Sequence, residues 1–316
     1  MNAMKGINME HIHLMPKYII DQKGIYEFIT IIYSTFKDIS NSVIILDCSK
    51  TKYIDPNLMA PLGLVLTKIK SKSNKVFFRG MKSNFRDILL KYGFLVSNKI
   101  TTSTIPQNFI KYETFNGNNN DGFQSYLEEQ LSEIYSYEII SSLITHIMEI
   151  FINVKMHARH NESFSRFKNK EVFTSGFYNK KEDFVIFSIA NNGQTFMDNI
   201  TSNLNYSFTF EVDSIKWALV EKNTSTKNRP GGLGLAMIKD LVKESKGELF
   251  ILSGKGYYQY SYNNYLKEFS ELTTDFSSPF PGTVITIKLP ISLIQINNKV
   301  SDNINFTIEE LLQEDI

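Results

Sequence analysis

Two hydrophobic periods alternate along the chain, and that alternation limits its fold more than any other feature. Runs such as SVIILDCS at 42–49 and DFVIFSIA at 183–190 are short, apolar and rich in branched residues, as buried strands are. Longer stretches with helical spacing lie between such runs: GIYEFITIIYSTFKDI at 24–39, LMAPLGLVLTKIKSKS at 58–73 and LGLAMIKDLVKESKG at 233–247. The second of these holds Pro61 near its first turn, where a missing N–H costs nothing. The predicted class is therefore α/β, and 316 residues are enough for two domains.

Composition narrows the function classes. With 34 basic against 33 acidic side chains, the chain lacks the cationic excess that broad nucleic-acid binding requires. Cys48 is the only cysteine, so no intrachain disulfide forms, as expected in a reducing cytosol. No run reaches the roughly 18 consecutive apolar residues of a membrane span, and the N-terminal stretch lacks the apolar core of a signal peptide. The expectation is a cytoplasmic protein with neither membrane nor nucleic acid as partner.

The segment 101–122 holds TTSTIPQ and NGNNNDG, a composition typical of an exposed connection. The predicted organisation is a small α/β domain at 1–105, a linker at 106–122, a second domain at 123–292 and a tail at 293–316.

Three stretches of the second domain carry chemistry. In EIFINVKMHA, Glu149, Asn153 and His157 recur at every fourth position, so one helix face presents all three. In RPGGLGLAMIKDLVKESKG, Gly231, Gly232 and Gly234 precede an amphipathic helix beginning near Leu235. Glycines let a ligand approach the backbone, and a helix N-terminus offers unpaired N–H groups to an anion. Lys222, Lys227 and Arg229 in the preceding loop add positive charge. In GTVITIKLP, Gly282 and Thr283 open an alternating strand. Taken singly, each has a structural explanation: a polar boundary stripe, a solvated loop and an ordinary strand threonine.

Their order along the chain resembles the ATPase superfamily of gyrase, heat-shock chaperones, histidine kinases and MutL, the GHKL or Bergerat fold. Glu149, Asn153 and His157 match its asparagine box; NNGQT at 191–195 stands at its first glycine box; GGLGLAMIKDLVKESKGELFI matches its second. That resemblance implies a mixed sheet covered by helices in a two-domain α/β chain. It implies ATP held by Asn153, His157, Asn191, Gly193, Lys227, Arg229, Gly231, Gly232, Gly234, Leu235 and Thr283, with Mg²⁺ on the Asn153 amide oxygen. Glu149 is the implied catalytic base. The chain departs from the family at Asn191, a neutral amide where the family uses aspartate, and at Thr195, which stands in place of a glycine. A zinc site on His157 and His160, or on His146 and Glu149, lacks the four ligands such a metal requires. His146 is followed by Ile147, unlike a kinase phosphoacceptor histidine.

Residues 10–100 resemble the STAS fold of anti-anti-sigma factors, on a buried strand ending in Asp47, a turn, a helix, a strand, and a helix ending Tyr92-Gly93-Phe94. At the position of that family's phosphorylated serine stands Asn57, in Asp55-Pro56-Asn57-Leu58, which removes the phosphoswitch. Together the two resemblances imply a regulator whose nucleotide state governs contact with a protein partner or a second copy. The alternatives are an anti-sigma-type serine/threonine kinase and an ATP-hydrolysing dimerisation switch in a defence or toxin-control system. The aromatic insert at 254–282 fits either a partner surface or packing on its own domain.

Overall fold

The structure is a computed structural model, and it describes residues 9–95, 108–132, 134, 141, 143–151, 171–223 and 234–292. It is a mixed α/β protein. Among the described residues no helix is long and apolar enough to cross a membrane.

The N-terminal part builds a parallel sheet from β1 (Glu10–Leu14), β3 (Val43–Asp47) and β5 (Lys75–Arg79), in the order β1-β3-β5. A two-stranded pair, β2 (Tyr18–Ile19) and β4 (Tyr53–Ile54), stands beside it. Helices α1 (Lys23–Phe36), α2 (Met59–Lys70) and α3 (Ser83–Lys91) cover its inner face, which carries Ile44 and Leu46.

The larger sheet has seven strands: β6 (Phe109–Asn116), β7 (Glu171–Asn179), β8 (Phe184–Asn191), β9 (Glu248–Ser253), β10 (Gly256–Asn263), β11 (Glu268–Asp275) and β12 (Thr283–Leu289). Their order is β11-β10-β9-β12-β8-β7-β6. Three features differ from expectation. Every pairing is antiparallel, so this sheet is not mixed. The reason is topological: β8 and β9 run the same way, joined by a helical crossover, and β12 inserts between them running against both. Second, the expected linker contributes β6 at one edge of the sheet. Third, the aromatic insert forms the hairpin β10–β11 at the other edge, with Tyr257, Tyr258 and Phe280 fully buried. Its aromatic side chains are divided between two cores: Tyr258 and Tyr260 join the one beneath the helices, whereas Tyr257, Phe276 and Phe280 join the one shared with the N-terminal part.

The two faces of this sheet meet different layers. Helix α4 (Asn120–Leu131), helix α5 within 143–151, α7 (Glu211–Ala218) and α8 (Gly234–Glu244) cover one face, on a core that includes Ile189, Ile251 and Ile285. Between β8 and α7 lies α6 (Phe196–Leu204). In α8, Leu235, Ile238 and Val242 form the apolar stripe. That helix stops where Lys246 turns left-handed at φ 54° and the Gly247 N–H bonds back to Val242 O at 2.8 Å.

The other face is covered by the N-terminal part itself. Helix α2 packs over β7 and β8, while Tyr26 of α1 stacks near Phe250 of β9 and Tyr257 of β10. Both parts share one apolar core, in which Ile29, Leu62 and Val65 meet Phe173, Ala190, Leu252 and Val284. A polar seam crosses it. Ser175 Oγ accepts the Ala60 N–H at 2.9 Å and donates to Asn57 O at 3.1 Å. Tyr26 Oη donates to Asp21 Oδ1 at 2.6 Å and lies 3.1 Å from Thr286 Oγ1, which is 2.7 Å from Ser188 Oγ. Each hydroxyl has a single proton. Since Tyr26 gives its proton to Asp21, Thr286 must donate to Tyr26 and Ser188 to Thr286.

Candidate functional site

Strand register brings the first and third motifs together. Asn191, the last residue of β8, is the register partner of Thr283, the first of β12, and Thr283 is also the partner of Ser253 at the end of β9. Side chains alternate along a strand, so these three residues point to the side that carries Ile189, Ile285 and Ile251. That is the face beneath α5 and α8. The second glycine motif and the Glu149 helix therefore lie on the same side of the sheet as Asn191 and Thr283.

Two close backbone approaches shape this end of the sheet. Gly282 adopts φ +146°, and a Cβ there would lie 2.1 Å from Asn191 O, so only glycine fits. At Gly193 a Cβ would come within 2.7 Å of Asn191 Nδ2. The missing side chain gives the Asn191 amide its room.

Hydrogen bonding at the site leaves capacity over. Thr283 Oγ1 and Ser253 Oγ are 2.8 Å apart, and Ser253 Oγ also accepts the Phe196 N–H at 3.0 Å. Two hydroxyls joined by one hydrogen bond retain one undonated proton between them, whichever is the donor. Just beyond Asn191, Gln194 Oε1 and Asn199 Oδ1 are buried without a hydrogen-bond partner. An orphaned buried acceptor costs about 1–3 kcal/mol, and such atoms mark places where a bound polar group or water is favourable. The Asn191 amide and the undonated proton of the Ser253–Thr283 pair offer, at the strand ends, the kind of donors and acceptor that the polar edge of a purine base requires.

Thr195 has a different role from the one its sequence position implied. It is the N-cap of α6: its Oγ1 accepts the Asp198 N–H at 3.1 Å, and the Asp198 carboxylate accepts the Thr195 N–H at 3.0 Å. This reciprocal pair is a capping box, so the side chain is used locally rather than being an intrusion into a glycine site. The next helix is held in a related way, with both Asp275 carboxylate oxygens accepting the Glu211 and Val212 N–H groups at 2.8 Å.

Glu149 is half-buried in α5, among the buried residues Ile147, Met148, Ile150 and Phe151. Burial pushes its carboxyl above the ordinary glutamate value, which makes it a stronger base than an exposed glutamate. Gly234 and Leu235 are buried in the first turn of α8. Asn153, His157, Lys227, Arg229, Gly231 and Gly232 lie outside the described residues, and so does the magnesium site expected at Asn153. Among the described residues no group of three or more His, Cys, Asp or Glu side chains is arranged to hold a metal ion.

Ser253 is the site residue that the sequence did not single out. Its signal is register: only pairing of β9 with β12 shows that it stands beside Thr283. Asn57, expected at a phosphoswitch position, is fully buried beneath β7, with its backbone carbonyl bonded to Ser175. Compared with models of known protein families the chain matches none, and no curated protein matches it significantly.

Proposed function

We propose that the chain is a nucleotide-responsive regulator of the GHKL type, in which ATP binds on the helix side of the seven-stranded sheet and controls contact with a protein partner. One observation carries this proposal: Asn191, Thr283 and Ser253 share a sheet face with α5 and α8, and that face has unused hydrogen-bonding capacity at its strand ends. In this proposal the amide of Asn191 and the Ser253–Thr283 pair orient the base, and the backbone leading into Gly234 receives phosphates at the positive end of α8. Bound magnesium supplies charge neutralisation for the phosphates, with Asn153 as its protein ligand. Glu149 takes a proton from water, a role its burial favours.

The STAS-like part acts here as a fixed cover rather than a phosphoswitch. Asn57 has no hydroxyl and no exposure, so a partner kinase has neither an acceptor nor access. Control therefore falls to the nucleotide side, where the polar stretch EKNTSTKNRPGG precedes α8 in the sequence.

Titration calorimetry with ATP and Mg²⁺, followed by a phosphate-release assay, tests the proposal. Saturable binding tighter than about 1 mM is expected. Replacing Glu149 with alanine should leave that binding intact and lower any turnover by at least about 100-fold. Absence of heat with both ATP and ADP at millimolar concentration would remove the nucleotide from the proposal altogether.

A further inference from the structure

The outer face of the three-stranded sheet has no covering layer among the described residues. Helices α1, α2 and α3 take the inner face through Ile44 and Leu46. The outer face consists of three register rows: Glu10, Val43 and Lys75; Ile12, Ile45 and Phe77; and Leu14, Asp47 and Arg79. Its edge strands carry open apolar side chains, with Ile12 57% exposed, Leu14 54% and Phe77 51%, while Ile45 at the centre is 9% exposed. Ile12 and Leu14 on edge strand β1 and Phe77 on edge strand β5 flank Ile45 of the central strand, so the apolar row runs across the whole face.

From this face we infer that a second copy of the chain docks here, sheet against sheet, about a two-fold axis parallel to the strands. Charge placement selects the occupant and the axis. The β1 edge carries Glu10, while the β5 edge carries Lys75 and Arg79. A two-fold along the strands sets β1 of one copy over β5 of the other. Glu10 then faces the partner's Lys75, Ile12 faces the partner's Phe77, and Ile45 faces its own counterpart. An axis across the strands would instead place Glu10 over the partner's Leu14, losing the charge match. At the far row Asp47 meets its counterpart, but each Asp47 is already neutralised by Arg79 at 2.8 Å. Isologous contact of this kind is the commonest route to a symmetric dimer, and aligned sheets pack face to face about 10 Å apart.

Area sets the strength. Three strands about 4.8 Å apart, each five residues long at roughly 3.3 Å per residue, present a face on the order of 250 Å² in projection. A standard interface covers roughly 800 Å² per partner, so this dimer is weak and reversible. This inference is independent of nucleotide binding.

Sedimentation velocity of the full-length chain over a concentration series, without nucleotide, tests it. The wild type is expected to shift from monomer to dimer as concentration rises, and the shift should weaken in high salt. Phe77→Lys and Ile12→Lys should each hold the chain monomeric, with melting temperatures near wild type because both positions are already exposed. Glu10→Lys and Lys75→Glu should each weaken association roughly tenfold, and the double variant, which swaps the charges, should restore it. A wild type that stays monomeric throughout overturns the inference. So does a dimer indifferent to Phe77→Lys, and a charge swap that fails to restore association overturns the parallel two-fold arrangement.

Discussion

Two rows of polar residues cross β8 and β12 on opposite faces, and they behave differently. Toward the N-terminal part, Ser175, Ser188 and Thr286 are register partners, and every hydroxyl is used. Their relay runs from Ser188 through Thr286 and Tyr26 to the Asp21 carboxylate. Toward the helices, the Ser253–Thr283 pair keeps one proton undonated beside the Asn191 amide, and orphaned acceptors occur at Gln194 and Asn199. A closed polar row in a core fixes how layers dock, because any gap would leave a buried group unpaired. An open row costs stability and is tolerated where a ligand completes it. One sheet thus carries a structural seam on one side and a candidate site on the other.

The largest effects should come from breaking the closed row. Tyr26 is fully buried between the two parts, so Tyr26→Ala should cost about 3–5 kcal/mol and lower a single thermal transition. If the N-terminal part instead melts separately, the shared core does not couple the two parts. Next is a pH effect. Burial, opposed by the Tyr26 hydrogen bond and aided by nearby Asp55 and Glu248, pushes Asp21 up to about 6 from 3.8. The folded state then holds this proton to higher pH than the unfolded chain does. Its stabilisation is complete below about pH 4 and is lost as pH rises through about 6, by up to about 3 kcal/mol. Denaturant titrations of wild type against Asp21→Asn should show that difference closing on the acid side, since the amide oxygen still accepts from Tyr26. A difference independent of pH between 4 and 7 would show that Asp21 does not titrate in this window.

Smaller effects belong to the open side. Thr195→Ala removes half of the capping box of α6 and should cost about 0.5–2 kcal/mol, read by denaturant titration. Should nucleotide affinity fall more than stability, Thr195 contacts the ligand as well. Asn191→Asp gives the base a charged acceptor and should tighten ATP binding by about 1 kcal/mol, roughly fivefold. Flat or weaker binding would mean that the amide suits a different base edge.

Much of this arrangement was legible in the sequence, because β8, β9, β12 and α8 keep clean periods over their full length. The edge strand β6 was hidden for two reasons: its pairing shifts between Ile110 and Glu113, and it runs straight into the Asn/Gly-rich turn. The hairpin β10–β11 was present as alternation in YYQYSY, but an aromatic run reads equally as surface until its strand partners are known. Strand direction was not local information at all. The antiparallel sheet depends on β12 entering between β8 and β9, a choice no single segment encodes. At the candidate site, Asn191 and Thr283 stood out in the sequence, whereas Ser253 gains its place beside them only through register. Thr195-x-x-Asp198 carries the spacing of a capping box in the sequence itself.

The most direct measurement sets the two rows against each other: ATP affinity by calorimetry and stability by denaturant titration, in Asn191→Ala and Ser188→Ala. Asn191→Ala should weaken ATP binding by about tenfold or more, as loss of a base-positioning hydrogen bond implies, with stability near wild type. Ser188→Ala should lower stability by about 1 kcal/mol and leave affinity unchanged. If Asn191→Ala binds ATP like the wild type, or if Ser188→Ala alone alters affinity, the site does not lie on the helix side of the sheet.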